Sequence, residues 1–312
     1  MVGISVQSRA ATPQIDHAAT LAAPWKMGDT VASQRVPEAC GSSTLIRKFL
    51  GTTAEGGFLV QDFYLVAGDD KKPATELKFS DPYVILDESV AKRTNFFDLA
   101  GRGADGPYVS WYCDGKMRAK GPYVKGLQNG LWTQWYPGGQ KSVEGTYKAG
   151  APDGEWTQWF ADGGKESSGV YVNGKPDGIW SEWYANGHLK SQGAYEAGVK
   201  NGNWNQWHEN SRQAAQGAYT KGEVDGLWIR WHENGSKYSE GSYVKALPHG
   251  QWTEWYKNGQ KFEEGKYESG RKAGRWLQWH NNSAVKLDGV YDRGVRQGVW
   301  KEWHENGRMA SE

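Results

Sequence analysis

Residues 177–200 read Asp-Gly-Ile-Trp-Ser-Glu-Trp-Tyr-Ala-Asn-Gly-His-Leu-Lys-Ser-Gln-Gly-Ala-Tyr-Glu-Ala-Gly-Val-Lys, and this 24-residue repeat recurs along the chain without insertions. Repeats begin at residues 105, 129, 153, 177, 201, 225, 249, 273 and 297, and the ninth is partial. Position 2 is always Gly, position 7 is always Trp, and position 4 is Trp except at Tyr108. Positions 17 and 19 are Gly and Tyr in every full copy. A fixed period of this kind indicates a stacked repeat array.

The repeat explains an unusual composition. The 312 residues include 42 Gly and 18 Trp, and all but one of the tryptophans stand at positions 4 and 7. Aliphatic residues are scarce, which disfavours a parallel α/β enzyme whose buried strands need Val, Ile and Leu. Abundant Gly disfavours a helical bundle. A formal net charge of +1 gives no basic footprint for nucleic acid.

Turn chemistry predicts hairpins. Positions 10 and 11 read Asn-Gly or Asp-Gly in most copies, as in Asn186-Gly187, which predicts a type I′ turn between two short strands. A return turn carrying the glycines of positions 22 and 2 leads to the next repeat. With the first turn centred on positions 10 and 11, position 4 faces 17, position 7 faces 14 and position 8 faces 13, so Trp180 is expected over Gly193. The predicted fold class is all-β: an elongated, single-layer array of antiparallel β-hairpins.

Three regions are expected along the chain. Residues 105–312 form nine repeats, the last one partial. Residues 57–104 are interpreted as two degenerate capping repeats, because Phe63-Tyr64 lies two periods before the first Trp-Tyr pair and residues 68–72 (Gly-Asp-Asp-Lys-Lys) resemble a turn. Residues 1–56 show no clear period and are interpreted as a poorly defined N-terminal arm.

Most of the aromatic residues are interpreted as packing between repeats. The structural residues chosen from four copies are Trp132, Trp135, Trp156, Trp159, Trp180, Trp183, Trp204, Trp207, Gly145, Gly169, Tyr147 and Tyr171.

Candidate partner-binding residues come from copies that break the pattern. Position 14 is mostly polar or small, but it is Tyr238 and Phe262 in two adjacent copies. These rings are expected beside Trp231 and Trp255, with Ile229 on the same face. Exposed clusters of Tyr, Trp and Phe mark interfaces, so this cluster is a hypothesis for a docking site, with ordinary packing as the alternative.

Smaller irregularities receive simpler interpretations. Ala246 replaces the Gly of position 22, which predicts a different turn and a local bend there. Histidines recur at position 8, but Tyr or Phe fills it in other copies, so a structural ring is expected and no metal site is predicted. Cys40 and Cys113 are too few for a disulfide framework and are interpreted as unrelated thiols, although their pairing is left open.

The repeats resemble a known family. Residues 177–187 and 225–235 look like the MORN-repeat variant of bacterial YwqK-type proteins, a resemblance that is strong over 105–312 and weak over 57–104. Members of that family are described as candidate antitoxin or immunity proteins because some are encoded beside polymorphic toxins. Related MORN modules are associated with membrane tethering and protein scaffolding. The family pattern contains no catalytic residues.

The resemblance therefore implies a non-enzymatic bacterial protein without cofactors that binds a cognate toxin or effector and neutralises it by steric occlusion. A membrane- or phospholipid-associated scaffold is the alternative, because exposed Trp and Tyr suit a bilayer interface, although no basic surplus attracts anionic lipid. A cell-wall glycan binder is a further alternative, since choline-binding repeats are also Trp/Tyr hairpins, although of shorter period. No targeting segment is visible, which leaves the bacterial cytoplasm, or the periplasm or envelope if a signal peptide was removed.

Overall fold

The computed structural model describes residues 13–36, 43–66, 75–92 and 104–312. The chain divides into two compact units, Met1–Gly163 and Gly164–Glu312. The described part of the first unit contains β1 (Ile15–Asp16), α1 (His17–Ala22), β2 (Thr30–Val36), β3 (Ser43–Thr53), β4 (Phe58–Val66), β5 (Thr75–Lys78), β6 (Tyr83–Ile85), α2 (Glu88–Ala91), β7 (Ala104–Trp111), β8 (Met117–Val124), β9 (Leu127–Gln128), β10 (Gly130–Trp135), β11 (Lys141–Lys148) and β12 (Ala151–Trp159).

The N-terminal strands of the first unit build a conventional hydrophobic core. Strand β3 pairs antiparallel with β1, β2 and β4, and β4 pairs with β5 and β6. Leu45 and Phe49 on β3 and Val60 on β4 are fully buried. The predicted arm thus contains a paired strand at 43–53, while the domain limits at residues 56 and 104 stay predictions.

A buried ion pair links β3 to β4. The Arg47 guanidinium donates from Nε to Asp62 Oδ1 at 2.8 Å and from Nη2 to Asp62 Oδ2 at 3.1 Å, and the Tyr83 hydroxyl donates to Asp62 Oδ2 at 2.7 Å. Because both charges are fully buried, each must be hydrogen-bonded by the other or by nearby polar groups. Burial, followed by the charge of Asp62, raises the pKa of Tyr83 well above its ordinary value, so its hydroxyl stays a donor.

Two sequence expectations concern the N-terminal half. Cys113 is disulfide-bonded, so its interpretation as an independent thiol is wrong. The chain has one other cysteine, Cys40, which lies outside the described residues. The turn expected at residues 68–72 also lies outside them, although β4 and β5 on either side pair as a hairpin requires.

The second compact unit consists of repeats alone. Its strands are β13 (Lys165–Val172), β14 (Lys175–Trp183), β15 (Leu189–Glu196), β16 (Val199–Trp207), β17 (Gln213–Thr220), β18 (Glu223–Trp231), β19 (Lys237–Val244), β20 (Leu247–Trp255), β21 (Lys261–Glu268), β22 (Arg271–Trp279), β23 (Val285–Asp292), β24 (Val295–Trp303) and β25 (Met309–Ser311). Each strand pairs antiparallel with the next along the chain, as do β7, β8, β10, β11 and β12 in the first unit. The predicted fold class, an all-β antiparallel hairpin array, is therefore confirmed in each unit.

The turn at positions 9 to 11 differs from the prediction. The Gly187 N–H donates to Tyr184 O at 2.9 Å, the Tyr184 N–H donates to His188 O at 2.9 Å, and of the residues between them only Gly187 has positive φ (83°). This is a three-residue loop, a type I turn closed by a left-handed residue, and not the predicted two-residue type I′ turn. The left-handed position accepts Ser211 and Ser283 in two copies.

The type I′ turn occurs instead at the return connection. Asn173 and Gly174, at positions 21 and 22, both have positive φ (49° and 79°), and Val172 pairs directly with Lys175. Lys245 and Ala246 adopt the same conformation, with φ of 50° and 62°. The prediction that Ala246 forces a different turn is therefore wrong, because its backbone takes the left-handed conformation despite the Cβ.

A β-bulge before the first turn changes the predicted register. Trp180 and Gly193 are Cα partners, so the pairing of positions 4 and 17 is confirmed. The ladder then shifts, and Trp183 at position 7 faces Leu189 at position 13. The predicted pairing of positions 7 and 14 is wrong because the bulge displaces the position-14 residue from the ladder.

Candidate protein-binding face

One face of the repeats, here the inner face, carries alternating tryptophan and tyrosine rings. The ring centroid of Trp204 at position 4 lies 5.2 Å from that of Tyr195 and 6.0 Å from that of Tyr219, both edge to face. Its Nε1 donates to Ala194 O at 3.0 Å, and only 3% of the residue is exposed. The inner rings of the second unit are thus engaged with neighbouring repeats.

Glycine at position 17 makes room for these rings. A Cβ built on Gly193 would lie 2.2 Å from the Trp204 ring, and one on Gly169 would lie 2.2 Å from the Trp180 ring. Each ring therefore covers the glycine of the preceding repeat. The expectation that the Trp180 ring covers Gly193 is wrong, although the two residues share the predicted register.

Cations and burial both act on the inner tyrosines and tryptophans. Lys200 Nζ lies 4.0 Å from the Trp204 centroid, and Lys272 Nζ lies 3.8 Å from the Trp276 centroid. Burial, with smaller contributions from Glu263 and Glu254, raises the pKa of Tyr267 to about 12. Five inner tryptophans are buried, namely Trp132, Trp204, Trp228, Trp252 and Trp276, whereas Trp156, Trp180 and Trp300 are half-buried.

Position 8 supplies a tether between repeats. The Tyr184 hydroxyl donates to Trp207 O at 2.8 Å, and Nε2 of His208 bonds Trp231 O at 2.9 Å in the same way one repeat later. His232 and His280 make the equivalent bond to Trp255 O and Trp303 O. A carbonyl only accepts, so these histidines carry a proton on Nε2, as a tyrosine hydroxyl does. Among the described residues, no three His, Cys, Asp or Glu side chains are grouped so that they could hold a metal ion.

The opposite, outer face carries the tryptophans of position 7. Lys165 Nζ lies 5.8 Å from the Trp183 centroid, and Lys237 Nζ lies 5.5 Å from the Trp255 centroid, so a lysine of one repeat covers the ring of the next. Three lysines at this repeat position pair with an acidic residue on their own strand: Lys141 with Glu144, Lys237 with Glu240 and Lys261 with Glu264. The charges of these three lysines on the outer face are therefore balanced.

The predicted structural residues fall on both faces. The inner face holds Trp132, Trp156, Trp180, Trp204, Tyr147, Tyr171, Gly145 and Gly169, and the outer face holds Trp135, Trp159, Trp183 and Trp207. Their assignment as structural residues remains a prediction.

The five predicted partner-binding residues divide between the faces. The Tyr238 ring lies 5.0 Å from His232, and the Phe262 ring lies 5.1 Å from Tyr256, both beside position-8 rings rather than beside position-7 tryptophans. Because side chains alternate along a strand, Ile229, Trp231 and Trp255 lie on the outer face. The structure thus groups Tyr238 and Phe262 with inner rings and leaves the other three on the opposite surface.

An aliphatic cluster on the outer face was missed by the sequence analysis. Leu227, Val244 and Leu247 are 52%, 49% and 49% exposed. Val244 and Leu247 are Cα partners, and Leu227 pairs with Ser242, two residues before Val244. We call these three residues and Ile229 the outer patch. The sequence did indicate this cluster, because side chains alternate between the two faces of a strand. A residue next to an inner Trp or Tyr, such as Leu227 beside Trp228, must therefore point outward.

A shallow depression adjoins the outer patch. It measures about 420 Å³ and is lined in part by Leu227 and Ile229 and by the amide side chains of Asn203, Asn205 and Gln216. Amides donate and accept hydrogen bonds, whereas the aliphatic side chains supply apolar area. An apolar centre with a polar rim is the general anatomy of a protein interface.

The fold and surfaces define a class: an all-β array of hairpin repeats with a packed inner face and a partly apolar outer face. The family model of the MORN repeat variant matches the chain at residues 128–149, 176–197, 224–245, 248–269 and 296–312. Repeats of this kind are generally protein- or membrane-binding and typically non-enzymatic. No curated protein matches the chain. Among the described residues, no helix has the length and apolarity to cross a membrane.

Proposed function

We propose that this chain is a non-enzymatic protein-binding repeat protein that neutralises a bacterial toxin or effector by covering its surface. The observation that carries this function is the outer patch, in which Leu227, Val244 and Leu247 each leave about half of their surface in water. Contiguous exposed aliphatic side chains with a polar rim mark interaction sites.

The backbone of the outer patch is well suited to present a surface. Leu227, Val244 and Leu247 stand on three consecutive paired strands, β18, β19 and β20. Their inner neighbours are held by ring contacts, such as that of Tyr243 with Trp252 at 5.3 Å. A surface fixed in this way loses little conformational entropy on binding, which favours affinity.

The charge pattern favours a protein partner over an anionic bilayer. Lys237 and Lys261, on the same face as the outer patch, are paired with Glu240 and Glu264. The chain's formal net charge is +1. Binding to anionic lipid gains from clustered unpaired Lys and Arg, which this balance does not provide.

Co-expression with the protein encoded by the adjacent gene tests the function. Wild-type chain is expected to bind that protein and to restore growth if it is toxic. The double variant Leu227→Lys/Val244→Lys is expected to weaken binding at least tenfold, because it places two charges in the apolar contact. Leu131→Lys is the matched control, since Leu131 occupies the same repeat position as Leu227 and is 58% exposed.

Two results would count against the function. Full protection by the double variant would exclude the outer patch as the binding surface. Absence of binding and protection by the wild-type chain, combined with flotation of the chain on vesicles of phosphatidylcholine and phosphatidylglycerol, would replace the toxin-binding function with membrane association.

A further inference from the structure

The depression beside the outer patch lies where two unlike repeats meet on the outer face. On β16, repeat positions 3 and 5 are Asn203 and Asn205, and on β18 the same positions are Leu227 and Ile229. No other copy has Asn at both positions. The floor between the two strands is Ala218 on β17, the Cα partner of Asn203. The depression therefore has one carboxamide wall and one aliphatic wall.

The carboxamides of the first wall are available to a partner. Among the described residues, no group donates to or accepts from the side-chain amide of Asn203 or Asn205. Gln216, the third amide of the lining, accepts a hydrogen bond from Gln213 Nε2 at 2.6 Å. Each free carboxamide can both donate and accept hydrogen bonds. Covering them without new bonds would cost free energy, so the occupant must itself donate and accept.

The lining of the depression is uncharged. All eight residues that line it are described by the structure, and none carries a charge. Trp204 contributes no ring to it, because its Nε1 donates to Ala194 O on the inner face and only 3% of the residue is exposed. Small-ligand sites are clefts lined largely by hydrophobic and aromatic side chains. A shallow, uncharged depression without an aromatic ring favours an uncharged segment of a protein partner.

The spacing of the two walls matches an extended chain. Asn203 and Asn205 are two residues apart on one strand, about 6.6 Å, and an extended peptide presents its same-side main-chain groups at the same interval. Strands β16 and β18 both pair antiparallel with β17, so the two walls run in the same direction, about 9.6 Å apart. A helix cannot pair with the carboxamides in this way, because its main-chain groups are already bonded within the helix.

We propose that the protein partner of the outer patch places an extended, uncharged segment in this depression. Alternate main-chain N–H and C=O groups of the segment bond Asn203 and Asn205, and its aliphatic side chains pack on Ala218, Leu227 and Ile229. Main-chain bonds supply affinity for an extended segment, and the aliphatic wall selects its side chains. This inference rests on the proposed protein-binding function and adds to it the element that the partner presents.

Phage-displayed linear peptides, selected on the full chain, are the probe for this inference. The selected peptides are expected to be uncharged and to carry aliphatic residues at alternate positions. Fluorescence anisotropy measures the affinity of the tightest one. N-methylation of its alternate nitrogens that face the carboxamides is expected to weaken binding at least tenfold, because it removes the N–H donors. N-methylation of the intervening nitrogens is the control and is expected to have a small effect.

A substitution in the floor tests the position of the segment. Ala218→Lys is expected to weaken binding of the selected peptide at least tenfold, because the new side chain occupies the depression. The chain already carries Lys266 at this repeat position, so the fold is expected to persist by near-ultraviolet circular dichroism. Ala194→Lys, at the same repeat position but outside the depression, is the matched control and is expected to leave binding unchanged.

A second variant removes the carboxamides and leaves the floor open. The double variant Asn203→Leu/Asn205→Thr introduces the residues that Leu131 and Thr133 supply at the same positions of another repeat. It is expected to weaken binding of the selected peptide at least tenfold. Gln251→Leu, which removes an amide at position 3 outside the depression, is expected to have no effect.

Several results would overturn the inference: charged or helical selected peptides, selection of none, binding that survives Ala218→Lys, or equal effects of the two N-methylation patterns. Its failure is distinguishable from failure of the proposed function. If the protein encoded by the adjacent gene binds and tolerates Ala218→Lys but not Leu227→Lys/Val244→Lys, the function stands and the extended segment is excluded. Peptide binding at the depression without binding of that protein has the opposite meaning.

Discussion

The glycine at repeat position 17 acts through the space it leaves for an indole. A Cβ on Gly193 would lie 2.2 Å from the Trp204 ring, and the ring is flanked by Tyr195 and Tyr219, so it has little room to move. Gly193→Ala is therefore expected to lower the free energy of unfolding by about 2 kcal/mol, in the range of overpacked cores. Urea denaturation monitored by tryptophan fluorescence measures the change.

Gly138→Ala is the control for that substitution. Gly138 has no positive φ, and the nearest atom to its built Cβ is the flexible end of Gln140. A small effect is expected there. If both alanines had equally small effects, the close contact between position 17 and the indole would not limit stability.

The Ala246 backbone is strained where other repeats use glycine. With φ of 62°, Ala246 occupies the left-handed region, in which a Cβ costs about 1–2 kcal/mol. Replacing Ala246 with glycine would remove this cost, but part of the gain in folding stability would be offset by the greater chain entropy of glycine in the unfolded state. Ala246→Gly is thus expected to raise the free energy of unfolding by about 1 kcal/mol. Gly222→Ala, at the same repeat position, is expected to change it by a similar amount in the opposite direction, and two changes of the same sign would contradict this account.

For the indole rings of position 4, the sequence predicts the paired residue but not the direction in which the ring points. The partnership of Trp180 with Gly193 follows from counting residues outward from the turn, and it is correct. Which of two adjacent glycines the ring covers depends on a side-chain rotamer, and residue spacing carries no information about rotamers. The outer direction of Leu227 was available from the alternation of side chains but requires the inner face to be identified first.

At the scale of the element, the side chain of position 8 links one hairpin to the next by a hydrogen bond. His208 and Tyr184 make the same hydrogen bond to the next repeat, through Nε2 and a phenolic hydroxyl respectively. His208→Tyr is therefore expected to leave the free energy of unfolding nearly unchanged, whereas His208→Phe is expected to lower it by about 1 kcal/mol, because the Trp231 carbonyl loses its donor.

Thermal and urea unfolding of both variants provide the measurement for the tether. Addition of Zn²⁺ to the wild-type chain serves as the control, with no stabilisation expected. Equal stability of the tyrosine and phenylalanine variants would mean that only the flat ring matters.

The strands of the repeats were predicted correctly, but the two turn types were assigned to the wrong connections. Asn-Gly at positions 10 and 11 suggested a two-residue type I′ turn, yet the left-handed residue of a three-residue loop is also satisfied by Gly187. The true type I′ turn uses Asn173, Lys245 and similar residues at position 21, which is a weaker sequence signal. One glycine can serve several turn types, and the loop length decides between them.

At the scale of the whole molecule, half-buried tyrosines such as Tyr267 make the free energy of unfolding sensitive to alkaline pH. The pKa of Tyr267 is raised from 10 to about 12, mainly by burial and then by Glu263 and Glu254. A raised pKa means that the folded state favours the neutral phenol. The stability contributed by Tyr267 is complete below pH 10 and is lost as the pH rises towards 12.

Alkaline titration of the unfolding free energy checks this dependence. Tyr267→Phe is expected to flatten its fall between pH 10 and 12, and Glu254→Gln is expected to lower the pKa of Tyr267 in ultraviolet titration. An unchanged pH profile in Tyr267→Phe would show that the phenol does not contribute to the loss of stability.

The periodic and aperiodic parts of the molecule differed in how far they could be predicted. From residue 105 onward, the 24-residue period was sufficient to predict the strands from the sequence. The core around Leu45, Phe49 and the Arg47–Asp62 pair has no period, and its contacts join residues distant in sequence. The outer patch shares this difficulty, since it depends on which face of the sheet each side chain occupies.

The strand order of the second compact unit also has a mechanical consequence. Each of its strands bonds to the strands next to it in the chain, so tension applied between Gly164 and Glu312 loads one ladder at a time. Under tension this unit is expected to open one repeat at a time, and each step is expected to release about 80 Å of extended chain. Optical-tweezer traces would then show a regular sawtooth at low force, with Ala246 marking an early point of rupture.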